Sequence, residues 1–186
     1  EELKNIILSL QQSLTEKGQL RGVVEKRRIT RLTNESAKRK LIIDLAKREI
    51  KKVSTSHLKI IGICLYCGEG GKTQRGLVRF SNSDPKMIRV MMKFFQKICY
   101  VPDNKFRGYI HIHSHLNRKK AEKYWSDISG IPKKQFFKTY CKPSIASKNK
   151  MDRLPHGTLD IYVCDTILFL KIKGWTEKIC ELVNNM

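Results

Sequence analysis

Three clusters in the 186-residue chain have residue types and spacings that could carry chemistry. The first is Gly68-Glu69-Gly70-Gly71-Lys72, a lone carboxylate set between glycines at the end of an apolar run. Glycine lets a backbone come close to a ligand or to another chain. A carboxylate at a helix C-terminus opposes the helix dipole, so a cation must offset it. A divalent metal would do so, and so would Lys72. Two such helix ends brought together would set two carboxylates side by side, one way to hold the metals of a phosphodiester-cleaving centre.

The second cluster is His111, His113 and His115, spaced i, i+2, i+4. Three such rings could ligate a transition metal. No carboxylate or thiol nearby in sequence completes a tetrahedral set, so histidines exposed on a nucleic-acid-binding sheet are the favoured reading. The third, Cys64-x-x-Cys67, has the spacing of half a zinc site or a redox pair. No second such pair exists and the motif lies in an apolar helical run. Structural burial is the expectation.

Elements must position these groups. Leu3, Ile6, Ile7, Leu10 and Leu14 recur at three or four residues over Glu1–Glu16, predicting an amphipathic helix that stops at Gly18. The helical pattern resumes over Val23–Val53, where Arg27, Arg31, Arg39 and Lys40 have few carboxylates near them. That run is either a solvated face or a set of phosphate contacts. Ser54-Thr55-Ser56 supplies N-cap candidates for a buried helix over His57–Gly71. Further on, the patterns predict strands at Leu77–Asn82, Arg107–Ser114, Lys138–Lys142 and Thr158–Cys164. Helices are expected from Asp84-Pro85 through Cys99, over Lys119–Ser129 and over Ile167–Val183. A helix–strand–strand–helix order repeated twice predicts an α+β fold with helices over one face of a mostly antiparallel sheet.

Period-two sorting then assigns the faces. Val78, Phe80, Ile110, Ile112, Leu159, Ile161 and Val163 turn to the helices. Arg79, Ser81, Tyr109, His111, His113, Asp160 and Tyr162 turn away, and Lys138, Tyr140 and Lys142 share a face. Such a surface suits a saddle laid against DNA, where these side chains reach phosphates and base edges.

Charge points the same way. Lys and Arg number 38 against 17 Asp and Glu, a formal charge of +21, which calls for a polyanion. Nucleic acid comes first, double-stranded DNA ahead of RNA, and an acidic membrane surface second. No apolar run reaches the roughly 18 residues that span a bilayer, and 40% hydrophobic residues exclude a disordered tail. Six scattered cysteines read as buried free thiols in a reducing, cytoplasmic and nucleoid-associated setting. The chain opens on Glu1 rather than Met, so an upstream segment is expected.

Residues Gly62–Gly70 resemble the motif of the LAGLIDADG homing endonucleases. Glu69 falls at the metal-binding acid, Gly70 at the closing glycine, Cys64 at the first small residue and Gly68 at the alanine. Leu65-Tyr66-Cys67-Gly68-Glu69-Gly70, Asn82-Ser83-Asp84-Pro85, Ile110-His-Ile-His113, Tyr124-Trp125, Gly130-Ile-Pro132 and Gly174-Trp175 resemble a group of small bacterial and archaeal proteins of that family. The likeness covers about residues 54–183, with 1–53 as a basic helical connector.

The resemblance implies an αββαββα domain, 54–186, whose saddle-shaped sheet grips double-stranded DNA. It also implies a homodimer packed through Ile61, Cys64, Leu65 and Gly68, with a roughly palindromic target. In the family's nucleases two motif acids hold Mg2+ or Mn2+, a role that carries over only to Glu69. Lys142 or Lys138 is assigned, by strand face, the part of the basic residue near that centre. The motif acid is Glu where the family usually has Asp, and Cys67 replaces its first Asp. A regulator of the same fold without cleavage, and an RNA-binding intron-splicing helper, are the alternatives.

Overall fold

In a computed structural model of the chain, residues 2–74, 76–142 and 154–185 are described. They form two compact units, Glu1–Val53 and Ser54–Met186.

The first unit is one helix, α1, Glu2–Glu49. The expected stop at Gly18 does not occur. A glycine inside a helix is destabilising by about 1 kcal/mol relative to alanine, and the good helix formers around it, Glu16, Lys17, Leu20 and Arg21, carry the helix through. From Gly22 onward every residue of α1 is exposed except Asp44, which is half-buried. Arg28 pairs with Glu25 at 2.8 Å and Lys47 with Asp44 at 3.2 Å.

The second unit holds α2 (Thr55–Glu69), β1 (Leu77–Asn82), α3 (Pro85–Lys97), β2 (Arg107–His113), α4 (Arg118–Ser129), β3 (Tyr140–Lys142), β4 (Thr158–Cys164) and α5 (Thr166–Asn184). Single 3-10 turns at Asp103–Lys105 and Lys133–Gln135 precede β2 and β3. Each helix start has a chemical cause. Ser54 caps α2, its hydroxyl accepting from the His57 N–H while His57 Nδ1 accepts from the Ser54 N–H, both at 3.2 Å. The side chains of Asp84, Asn117 and Asp165 cap α3, α4 and α5 by accepting from the N–H of Lys86, Lys120 and Leu168. Gly130, at φ 73°, ends α4 in the left-handed conformation that glycine adopts without strain.

The sheet is mixed, in the order β1-β4-β2-β3. β4 is antiparallel to both β1 and β2, whereas β3 runs parallel to β2. Elements within the unit alternate as αβαβαββα, so the twice-repeated helix–strand–strand–helix order is corrected. The reason lies in the caps. Asp84-Pro85 starts a helix immediately after β1, and Asn117 starts another just after β2, so neither strand can turn back in a hairpin. Parallel pairing of β3 follows, because a parallel partner needs a crossover and α4 provides it.

The core lies between the sheet and α2–α5. Val78, Phe80, Ile110, Ile112, Leu159, Ile161 and Val163 meet Ile63, Phe94, Phe95, Trp125, Phe169 and Ile172 there. Full burial of each such large side chain contributes about 1.5–3 kcal/mol. Gly62 is required by close approach, since a Cβ at that position would overlap the Phe94 ring. The expectation of a fully buried α2 is corrected: Gly62, Ile63 and Tyr66 are buried, while Ile60, Ile61, Cys64 and Gly68 are exposed. The cysteines are free, as expected, but Cys64, Cys141, Cys164 and Cys180 are exposed, and only Cys67 and Cys99 are half-buried.

Candidate nucleic-acid interface

The sheet face turned away from the core is organised by one buried carboxylate. Asp160, on the central strand β4, is 0% exposed although its side chain lies on the solvent side of the sheet. The register explains the burial. Asp160 stands between Ser81 of β1 and Tyr109 of β2, and Tyr162 beside it stands between Arg79 and Arg107. These neighbours close over it. Arg79 donates twice to Oδ2, from Nε at 3.1 Å and from the terminal guanidinium nitrogen at 2.8 Å. The Tyr162 hydroxyl donates to the same oxygen at 3.1 Å, and His111 Nε2 lies 3.1 Å from it. The Ser81 hydroxyl donates to Oδ1.

A buried carboxylate is tolerable only when its lone pairs are filled and its charge is matched, and this shell does both. It also fixes the groups that remain accessible. Arg79 is 41% exposed and His111 34% exposed at the side chain, so both present an edge to solvent while held from below. Burial first, and then the Asp160 charge, push the Tyr162 hydroxyl up to about 12.

Aromatic rings form a second layer on the same face. Tyr109 lies edge-on to His111 at 4.4 Å between centroids, 6.2 Å from Phe137 and 6.5 Å from Tyr162. Tyr140 joins His111 at 5.8 Å, as expected from their pairing in the β2–β3 register. Phe137 and Tyr140 are 50% and 46% exposed, a large apolar surface on an otherwise polar face. Phe137 reaches this side because its N–H donates to the Gly108 carbonyl at 2.8 Å, which turns Phe136 inward over Gly108 and Phe137 outward.

Of the residues singled out by sequence, Arg79, Ser81, His111, Tyr140 and Tyr162 come together on this face. His113 and Lys142 continue it at the exposed end of β2 and β3, where they are register partners. Lys138 is exposed just before β3, outside the strand. Tyr109 and Asp160, which alternation also turns to this side, complete the face together with Phe137 and Arg107, which the sequence reading does not assign to it. The signal for Asp160 was present, a lone acid between apolar residues in mid-strand. For Phe137 there was none, because its side is set by a hydrogen bond outside any strand pattern. The three histidines do not converge. His111 faces Asp160, whereas His113 and His115 stack on each other at 5.9 Å.

Glu69 is the last residue of α2 and is exposed. The turn after it is fastened to β1: Gly70 bridges Phe80, the Gly71 N–H donates to the Arg79 carbonyl at 2.8 Å, and the Tyr66 hydroxyl donates to the Gly71 carbonyl at 2.9 Å. Lys142 lies on β3, the opposite edge of the sheet. Three strand spacings, about 14 Å, separate those edges, so one chain does not bring Glu69 and Lys142 together. Among the described residues no group of three or more His, Cys, Asp or Glu side chains is placed to hold a metal. Glu69 therefore offers one carboxylate per chain, and Mg2+ or Mn2+ bound there would take its remaining ligands from water and substrate phosphates.

Ile61, Cys64 and Gly68 share the exposed side of α2, three and four residues apart, with Leu65 half-buried beside them. A Cβ on Gly68 would meet nothing within 4 Å, so that side is open. No helix among the described residues is long and apolar enough to cross a membrane. The second unit is thus an α+β domain with one sheet face covered by helices and the other lined by Arg, His, Tyr and Phe. No protein-family model, curated protein or solved structure matches the chain.

Proposed function

We propose that the chain binds double-stranded DNA through the open face of its sheet, and does so as a homodimer joined through α2. The observation that carries this reading is the face itself. Arg79 and His111 are held outward by a buried carboxylate, His113, Tyr140 and Lys142 extend the surface, and the whole chain carries +21. Side chains of these types reach phosphates and base edges, and pre-positioning them lowers the entropy lost on binding. The open side of α2, with small residues at Cys64 and Gly68, suits close packing of a second copy. Two copies fit a roughly palindromic site. The exposed basic run of α1 would add phosphate contacts that carry no sequence information.

Cleavage is a second reading, favoured by one observation: Glu69 is exposed between two glycines at the end of the α2 side offered for pairing. Two copies joined there would supply two carboxylates where one chain supplies one. Both readings meet in one experiment. A randomised duplex library is incubated with the protein and with Glu69→Gln, in Mg2+, in Mn2+ and in EDTA, and bound and cut molecules are sequenced. Enrichment of one roughly palindromic motif supports DNA recognition, and metal-dependent cuts lost in Glu69→Gln support cleavage. No enrichment by either protein contradicts sequence-specific recognition.

A further inference from the structure

Phe137 joins two features that duplex binding does not require. On one side it packs against Tyr109 and Tyr162. On the other it lines a pocket of about 140 Å3 with Arg118, Lys133 and Lys138. Glu122 and Phe136 complete that pocket. Glu122 is already engaged: its carboxylate accepts from Arg118 Nε and from the Thr139 hydroxyl, both at 2.6 Å. Burial alone would raise the Glu122 carboxyl, but those two bonds and the nearby cations together hold it below the ordinary carboxylate range. It therefore fixes Arg118 in place as an anion, and three cations still face one carboxylate.

An aromatic floor bordered by a small cationic pocket has the chemistry of a nucleotide site. Bases of any identity stack on exposed aromatic rings, and Arg and Lys take the phosphate. The spacing of the two halves is set by one residue, since Phe137 belongs to both. A base inside an intact duplex cannot reach such a floor, because its faces are covered by its neighbours. We infer that the exposed Phe137 ring, braced edge-on by Tyr109 and Tyr162, forms with the pocket of Arg118, Lys133 and Lys138 a subsite for a single unpaired nucleotide, base on Phe137 and phosphate in the pocket. The inference rests on the nucleic-acid reading above and narrows its substrate to DNA that carries an extrahelical or unpaired base.

The test compares two short duplexes of the same sequence, one fully paired and one with a single-nucleotide bulge carrying 2-aminopurine. The full chain is titrated at low salt and both affinity and fluorescence are read. The bulged duplex is expected to bind about tenfold more tightly, within the range that one base–aromatic stack contributes, with quenching of the 2-aminopurine on binding. In Phe137→Ala the ratio of the two affinities falls to about one and the quenching is lost. Because the ratio is taken within each protein, a general change in affinity or fold does not imitate this result. A Lys133→Ala, Lys138→Ala double variant also lowers the ratio. Equal affinities for both duplexes without quenching would overturn the subsite and leave duplex binding intact. Binding to neither would overturn the nucleic-acid reading itself.

Discussion

Asp160 is the residue on which the open face depends. Arg79, Ser81, His111 and Tyr162 all direct a polar atom at its carboxylate. Removing one partner of a buried ion pair is destabilising by roughly 3–5 kcal/mol. Arg79 keeps some contact with water, so the lower end applies, and we expect Asp160→Ala to lose about 3 kcal/mol in urea denaturation. The same variant should weaken DNA binding even below its unfolding transition, because Arg79 and His111 lose the anchor that aims them. An unchanged denaturation midpoint would show that the cluster is not structural. Sequence reading placed Asp160 on the correct side of its strand but treated that side as solvent. Alternation assigns a face; it does not say whether neighbouring long side chains close over it. Glu69 was legible as an exposed acid between glycines, whereas its distance from Lys142 depended on the strand order, which no local pattern carries.

At the scale of elements, the caps were the most readable features. Ser54, Asp84-Pro85 and Gly130 each mark a helix end where the sequence predicts one, and the β1 and β4 limits coincide with the expected Leu77–Asn82 and Thr158–Cys164. Asp165 shows what such a cap does. It accepts from the Leu168 N–H at 2.9 Å and pairs with Lys105 at 3.0 Å, joining α5 to the turn before β2. First the backbone bond to Leu168 and then Lys105 hold its carboxyl below the ordinary aspartate value of 3.8. A carboxyl depressed by folding adds stability that is fully present above its unfolded value and is lost as pH falls through the folded one. Between about pH 5 and pH 2, Asp165→Asn should therefore show a flatter decline in Tm than the parent protein. Parallel curves would contradict a contribution from this cap. The length of α1 was not legible. Gly18 and the weak apolar periodicity around it predict a break, yet the energy lost at one glycine is small against a long run of helix formers. The strand order was equally hidden, because pairing of β1 with β4 is decided by packing across some 80 residues.

On the whole-molecule scale, charge and surface agree. Residues 54–186 hold 24 Lys and Arg against 10 Asp and Glu, so the second unit is strongly basic by itself. The polar and aromatic groups it gathers lie on one sheet face, while its opposite face is sealed by α2–α5. Composition alone pointed to a polyanion, and alternation indicated which face would meet it. The carboxylate-centred shell and the Phe137 floor needed three dimensions. The most direct test of duplex binding by this face is the salt dependence of affinity, measured for the full chain and for a Lys138→Ala, Lys142→Ala double variant. Each phosphate contact contributes about −0.9 to the slope of log K against log salt. The parent protein should give a slope of about −4 or steeper, and the double variant a slope shallower by about 2. A slope near zero for the parent, or identical slopes for both proteins, would contradict DNA binding through the open sheet.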